Sequence, residues 1–121
     1  MTNQIQNPNT KRYDLKERTS LFGKKVITFV KKIALDPINR PVISQLVRSA
    51  TSIGANYMEA DGAVSKKDFR NKIAICNKES KETMHWLHMM SVANPIEKNQ
   101  CRTLWKESHE LALIFSSILR K

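Results

Sequence analysis

The chain has 121 residues, of which 40% are hydrophobic and 26% are charged, and this size and balance are typical of one globular domain. With only 3 Gly and 4 Pro, it lacks the regular turn residues that a sandwich or barrel of short strands requires. The 21 Lys and Arg against 11 Asp and Glu give a formal net charge of +10, which favours an anionic partner such as nucleic acid, an anionic membrane surface or an acidic protein.

The first half of the chain predicts a tail and two helices. The polar residues 1–14 cannot bury an apolar face, and we expect them to form a flexible tail. Apolar residues then recur at helical spacing from about 18–34 and stop before Pro37. A second helix is expected to begin near Pro41, whose missing N–H needs no partner in a first turn, and to end near Gly62.

The second half of the chain predicts two further helices. Ser65 opens a motif similar to a capping box, SKKD, in which the serine hydroxyl can accept the backbone N–H of Asp68. The third helix runs from there to about Val92, where the following Asn-Pro pair breaks it. A fourth helix spans 97–119. Four helices with short connections predict an all-α, antiparallel up-down-up-down four-helix bundle over residues 15–121.

The outer side of the second helix carries few charges, which is unusual for a solvated surface. Arg48 is the one charged residue between Pro41 and Met58, and the small residues Ala50 and Gly54 would let another backbone approach closely. The third and fourth helices have apolar bands that fit either a thick core or a second seam against another copy. We expect the second use, and therefore a homo-oligomer shaped as a ring. The expected interface residues are Ser44, Arg48, Ser52, Ala55, Trp105 and Ala112.

The third helix also carries a basic stripe. Its cations fall within about 80° of one another on a helical wheel, whereas Asp68, Glu79 and Glu82 lie off the stripe. Such a row fits a phosphate backbone, although charge runs more often mark a solvated surface that serves solubility. Contacts with RNA or DNA would go mainly to phosphates, since no base-reading motif is present in the sequence. The expected nucleic-acid contacts are Lys67, Arg70, Lys78, Lys81, His85 and His88 on this helix, with Lys24 and Lys31 on the first.

Candidates for catalysis or metal binding are few. Glu82 and His85 form a Glu-x-x-His motif like that of di-iron bundles, but no second copy of the motif exists and His85 lies opposite the apolar seam. Cys76 and Cys101 lie in apolar seams, where a free cysteine usually acts as a small hydrophobe. We therefore expect no catalytic residue, no metal and no cofactor, so an enzyme is the least favoured class.

No segment of the sequence predicts secretion or a membrane span. The amino terminus lacks the apolar core of a signal peptide, and no run of 18 apolar residues occurs. The two cysteines lack both the spacing of a zinc site and the density of a disulfide scaffold. We expect reduced thiols, a cytoplasmic protein and no membrane partner.

One long run resembles a known family signature. Residues 48–73, RSATSIGANYMEADGAVSKKDFRNKI, closely resemble the signature of the bacterial four-helix-bundle family encoded in intervening sequences of large-subunit ribosomal RNA genes. YDLKERT at 13–19 and the later DPINRP look like the opening of that family, and the resemblance covers roughly 13–120. The family includes the accessory variability protein of diversity-generating retroelements, a pentameric, positively charged barrel that works with a reverse transcriptase and its template RNA.

The resemblance implies a homopentamer without catalytic residues that holds RNA or DNA on basic faces, beside a reverse transcriptase. The polar signature residues would either form a network at helix ends and interfaces or serve as caps and packing residues. These residues are Ser49, Thr51, Ser52, Asn56 and Glu59. The alternative function is a structural protein that binds another protein, without functional nucleic-acid binding.

Overall fold

The computed structural model describes residues 15–121, and this part of the chain contains four α-helices and no strand. The helices are α1 (Leu15–Val30), α2 (Asn39–Asp61), α3 (Lys66–Ala93) and α4 (Lys98–Leu119), with a 3₁₀ turn at Pro95–Glu97. The expected all-α four-helix bundle is confirmed. The tail expected at residues 1–14 lies outside the described residues.

Each helix packs against the next one along the chain, and α1 also touches α4 lightly. The backbones of helices α1 and α3 do not approach each other closely, so these two helices lie diagonally across the bundle. The largest fully buried side chains include Phe22 and Phe29 of α1 and Phe115 of α4. Burying each such side chain contributes on the order of 2 kcal/mol, so the apolar seams hold the four helices together.

Small hydroxyl residues inside the core bond to one another. Thr83 of α3 donates to the hydroxyl of Ser49 of α2 at 2.9 Å, and Ser108 of α4 donates to the carbonyl of Ser80 of α3 at 2.8 Å. Within residues 15–121, every buried side-chain nitrogen or oxygen has a hydrogen-bond partner. The polar positions of the predicted seams are therefore compatible with a closely packed interior.

The small residues of α2 mark the point where α1 crosses it. A methyl group built on Gly54 would lie 3.5 Å from the backbone carbonyl of Thr19, and one built on Gly23 would lie 3.6 Å from the Cα of Thr51. Ala50, the other small residue of the pair, is fully buried. The backbone that approaches this pair is therefore α1 of the same chain, and the pair gives no evidence for a second copy.

Two polar residues fix the beginnings of α2 and α3. Ser65 accepts the backbone N–H of Asp68 at 3.0 Å, which confirms the predicted cap. Helix α2 begins at Asn39, two residues before Pro41, because the Asp36 carboxylate accepts the backbone N–H of Asn39 at 2.6 Å. A side-chain acceptor outside the apolar pattern thus sets the first residue of α2.

Candidate nucleic-acid interface

The cations predicted along α3 are all exposed. They are Lys67, Arg70, Lys78, Lys81, His85 and His88. Within the described residues, none of them takes part in an ion pair. Arg70 has a structural role as well, because its guanidinium donates to the carbonyl of Leu119 at 2.7 Å and so holds the end of α4.

The stripe is uniformly basic because the acids of α3 face α2. Arg48 donates to Glu79 at 3.3 Å and also to Glu82. Glu82 accepts a further hydrogen bond from the indole N–H of Trp86 at 3.2 Å, and these donors lower the pKa of Glu82, the indole first and Arg48 second. The same carboxylate raises the pKa of Arg48. Arg48, expected at an interface between copies, thus neutralises two acids of its own chain.

A second row of cations lies on α4, and the sequence analysis missed it. Their spacing of four, four and three residues places them within about 80° of one another on the flank that faces α3. All are exposed. The row consists of Lys98, Arg102, Lys106 and His109. A helical wheel drawn for α4, like the one drawn for α3, would have revealed this row.

The acids of α4 face α1, away from this row. Arg18 of α1 donates to both carboxylate oxygens of Glu107, at 2.8 and 3.0 Å, and also to Glu110. The hydrogen bond that Arg18 donates to Glu107 is the largest cause of the raised pKa of Arg18. The paired carboxylates of α3 and α4 therefore lie on the sides of these helices that face away from the seam between them. We call the ten side chains of the two rows, seven Lys or Arg and three His, the α3–α4 basic face.

The second basic face predicted on α1 lies elsewhere. Lys24 and Lys31 are exposed, as expected. Because α1 is diagonal to α3, the structure does not bring these two lysines together with the α3 stripe. Lys24 instead lies at the edge of a groove between α1 and α2.

The groove between α1 and α2 is lined by several exposed apolar side chains. It has a volume of about 1120 Å³ and is lined on α1 by Leu21 and Ile27 and on α2 by Ala55 and Met58. Leu21, Ile27 and Met58 are 50%, 41% and 53% exposed. We call this surface the α1–α2 groove. Ala55, one of the predicted interface residues, lies in it.

The remaining α2 residues predicted at an interface differ in exposure. Ser44 is exposed like Ala55, whereas Ser52 is half-buried and bonds to Asn56, whose side-chain amide donates to the Ser52 carbonyl at 2.9 Å. Of Ser44, Ser52 and Ala55, therefore, Ser44 and Ala55 are the two that the single chain leaves on its surface.

The two α4 residues predicted at an interface have different surroundings. Ala112 is 4% exposed, because its flank of α4 packs on α3, where Asn77 donates to the Ala112 carbonyl at 3.1 Å. Ala112 is thus unavailable to a second copy. Trp105 is half-buried, and its ring stacks on that of His109, with centroids 5.1 Å apart.

Other polar signature residues bond within the chain. Thr51 donates to the carbonyl of Val47 at 2.7 Å, and Glu59 accepts from Lys72 of α3 at 2.7 Å. Together with the buried Ser-Thr pair, these contacts fit the packing alternative for the signature.

Both residues of the Glu-x-x-His motif contact neighbouring side chains of the same chain. Glu82 faces Arg48, and the His85 ring meets the Trp86 ring edge-on, with centroids 4.7 Å apart. In the described ranges, no group of three or more His, Cys, Asp or Glu residues is placed to hold a metal ion. None of the described helices combines the length and the apolarity that crossing a membrane requires.

The two thiols are buried and free. Burial raises the pKa of Cys76 to about 12 and that of Cys101 to about 11. Cys76 donates to the carbonyl of Ile53 at 3.6 Å. A thiol with so high a pKa is almost entirely protonated at neutral pH, which makes it a poor nucleophile.

Comparison with known proteins identifies a family and a solved structure of similar fold. The family model described as 23S rRNA-intervening sequence protein matches residues 11–117. A solved structure at 1.70 Å, of a protein of unknown function from the S23 ribosomal protein family of Bacteroides thetaiotaomicron, is 30% identical to the chain, with a TM-score of 0.78, and the match covers 88% of this chain and 99% of that one. No curated protein matches the chain.

Proposed function

The chain belongs to the 23S rRNA-intervening sequence protein family, and we propose that it is a non-enzymatic, cytoplasmic protein that binds nucleic acid, RNA in particular, through the α3–α4 basic face. The solved relative is itself described as a protein of unknown function. The proposal therefore depends on the surface of this chain and not on an activity carried over from a relative.

The observation that supports it is the separation of charge on α3 and α4. The cations of both helices adjoin along one seam, while four acids off that seam are paired with Arg48 or Arg18. They are Glu79, Glu82, Glu107 and Glu110. A surface that served solubility alone would mix charges of both signs. From Lys67 to His88 the stripe extends about 30 Å along α3, which is close to one turn of a duplex.

Such a surface binds phosphates and has little means of reading bases. Each duplex phosphate contact steepens the log-log dependence of affinity on salt by about 0.9, so six contacts give a slope near −5. We expect strong dependence on salt and weak dependence on sequence.

The test compares two triple charge reversals of equal charge change. The first, Lys67→Glu with Lys78→Glu and Lys81→Glu, alters the basic face and leaves Arg70 in place, because Arg70 also holds the end of α4. The matched control reverses three exposed lysines of α1 and of the turn that follows it. These are Lys24, Lys25 and Lys31.

We expect the α3 variant to lose on the order of 100-fold in affinity for an RNA duplex at 50 mM salt and about 3 units of salt slope. The α1 variant should lose much less, because its lysines lie off the face. An equal loss in both variants would show that net charge alone governs binding, and full affinity in the α3 variant would reject the face. Circular dichroism checks that both variants remain helical.

We also propose that the protein self-associates, with five copies by resemblance to the family. The exposed apolar side chains of the α1–α2 groove support this proposal, since a monomer rarely exposes such a patch without use. Ala55→Arg in the groove should reduce the assembly, whereas Ala74→Arg on exposed α3 surface should leave it intact. Light scattering at micromolar concentration measures both, and a monomeric wild-type protein would overturn the proposal.

A second candidate function is binding to another protein, such as a reverse transcriptase. The α1–α2 groove favours it, because the same apolar surface could receive a partner of different sequence. In a pull-down, nucleic acid would then be a poor competitor for that partner. Efficient competition by RNA would favour the α3–α4 basic face instead.

A further inference from the structure

A cleft between α3 and α4 forms a concave site on the basic face. We infer that this cleft holds one unpaired nucleotide of a single-stranded RNA, with its base stacked against Trp105. The inference rests on the proposed function, because it assigns a more specific ligand to the same surface.

The cleft has the size and the chemistry for a nucleotide. Its volume is about 370 Å³, within the range of small-ligand sites. The polar and aromatic side chains that line it are His88, Ser91, Lys98, Arg102, Trp105 and Lys106. No carboxylate among the described residues lines it, so it favours an anion with a flat apolar group.

The three cations of the cleft follow one another along α4. Lys98, Arg102 and Lys106 are each separated by four residues, a rise of about 6 Å per step. The three side chains can therefore each contact one of three successive phosphates of the same strand. A base between two of these phosphates then lies beside Trp105, which is in the same turn as Lys106.

Trp105 is suited to serve as a stacking platform. Its ring is half-buried and stacks on His109 with an angle of 29° between the planes, which holds the indole in one orientation. Trp86, the other tryptophan, is instead bonded to Glu82 on the side that faces α2. Trp105 therefore lines the cleft together with Lys98, Arg102 and Lys106, whereas Trp86 lies outside the cleft, beside the His85 ring and the Arg48–Glu82 pair.

Only an unpaired base can use this platform. A base within a duplex already stacks on its neighbours, and removing it costs several kcal/mol. Stacking on an aromatic side chain tolerates any base, because every base has a flat face. The cleft therefore adds affinity for single strands without adding sequence preference.

The test uses a ten-nucleotide oligouridylate and a 20-base-pair RNA duplex as probes. We expect Trp105→Leu to weaken oligouridylate binding about fivefold or more and to leave duplex binding within about twofold. Trp86→Leu, the matched control, removes an equally large half-buried ring and should leave both affinities within about twofold.

Salt dependence separates the stacking contact from the phosphate contacts. Arg102→Gln should reduce the salt slope for oligouridylate by about 0.7, the value for one contact to a single strand. Trp105→Leu should leave that slope unchanged, because it removes no phosphate contact.

A fluorescence measurement needs no change at the cleft. The chain has 2 Trp and 2 Tyr, so Trp86→Phe leaves Trp105 as the single tryptophan, which is excited at wavelengths that tyrosine does not absorb. Oligouridylate should quench this emission while the duplex does not. If Trp105→Leu fails to fold, this quenching alone tests whether a base stacks against Trp105. Absence of quenching with full binding of both probes would overturn the subsite and leave the proposed function standing. Absence of binding by wild-type protein to either probe would overturn both.

Discussion

Replacing Arg48 by methionine tests whether this residue serves its own chain. The substitution keeps an unbranched side chain and removes the cation that pairs with two acids of α3. We expect a loss of stability, because the buried carboxyl group of Glu79 would lose its ion-pair partner.

The size of the loss follows from the exposure of each pair. The Glu79 side chain is 9% exposed and its bond to Arg48 is 3.3 Å long, so this pair contributes about 1.5 kcal/mol, the low end for a charged hydrogen bond. The Glu82 pair is more exposed, at 46% for Arg48 and 34% for the carboxylate, and contributes about 0.5 kcal/mol. The sum is about 2 kcal/mol, or about 8 °C in Tm for a domain of this size.

Urea unfolding at pH 7 and at fixed protein concentration measures the loss. Lys25→Met, at an exposed position of α1 without an ion pair in the described part of the chain, is the matched control and should change stability by less than about 0.5 kcal/mol. In a Glu79→Gln background, the loss from Arg48→Met should fall to about 0.5 kcal/mol. An unchanged loss in that background would refute the argument, and a changed oligomer mass at full stability would assign Arg48 to an interface.

Three further outcomes are expected from the contacts of single residues. The buried thiols, with pKa values of about 12 for Cys76 and about 11 for Cys101, should resist an aromatic disulfide reagent at pH 8 until urea unfolds the chain; rapid labelling of the native protein would contradict their burial. Asn94→Ala should cost about 1 to 2 kcal/mol in urea unfolding, because Asn39, which is 3% exposed, exchanges two amide hydrogen bonds with it at 2.9 and 3.1 Å; a cost below about 0.3 kcal/mol would contradict this. Glu82→Gln should destabilise the protein at pH 7, and the variant should approach wild-type stability as the pH falls below about 4.5, the ordinary glutamate pKa. The reason is that a group with a lowered pKa contributes stability that is lost when the carboxylate is protonated. An equal difference in stability at pH 7 and at pH 3 would show that the charge of Glu82 contributes nothing.

The helices were predictable because their signals are local. Ser65 caps α3 at the predicted residue, since the capping bond joins positions three apart. Helix α1 begins at Leu15, three residues before the predicted start at residue 18. Leu15 lies four residues before the buried Thr19 and so continues the buried stripe of this helix. The apolar spacing therefore contained the signal for Leu15, whereas the start of α2 depends on the Asp36 carboxylate, which accepts the backbone N–H of Asn39.

The candidate site was predictable only in part, because a helical wheel gives the faces of a helix but not its neighbours. The α3 stripe could be identified from spacing alone. That Ala112 lies against α3 and that Arg48 reaches Glu79 depend on which helices pack together and in what register. For the same reason, the pair Ala50 and Gly54 indicated a close crossing without indicating that α1 is the helix that crosses.

Lysine footprinting tests the central claim most directly, because it compares both basic surfaces within one molecule. The protein would be acetylated with and without saturating RNA at low salt, and the modification of each lysine read by mass spectrometry. We predict protection of the lysines of the α3–α4 basic face and unchanged modification of Lys24, Lys25 and Lys31. The protected lysines would be Lys67, Lys78, Lys81, Lys98 and Lys106. Equal protection of both sets, or protection confined to α1, would contradict the assignment of RNA binding to this face.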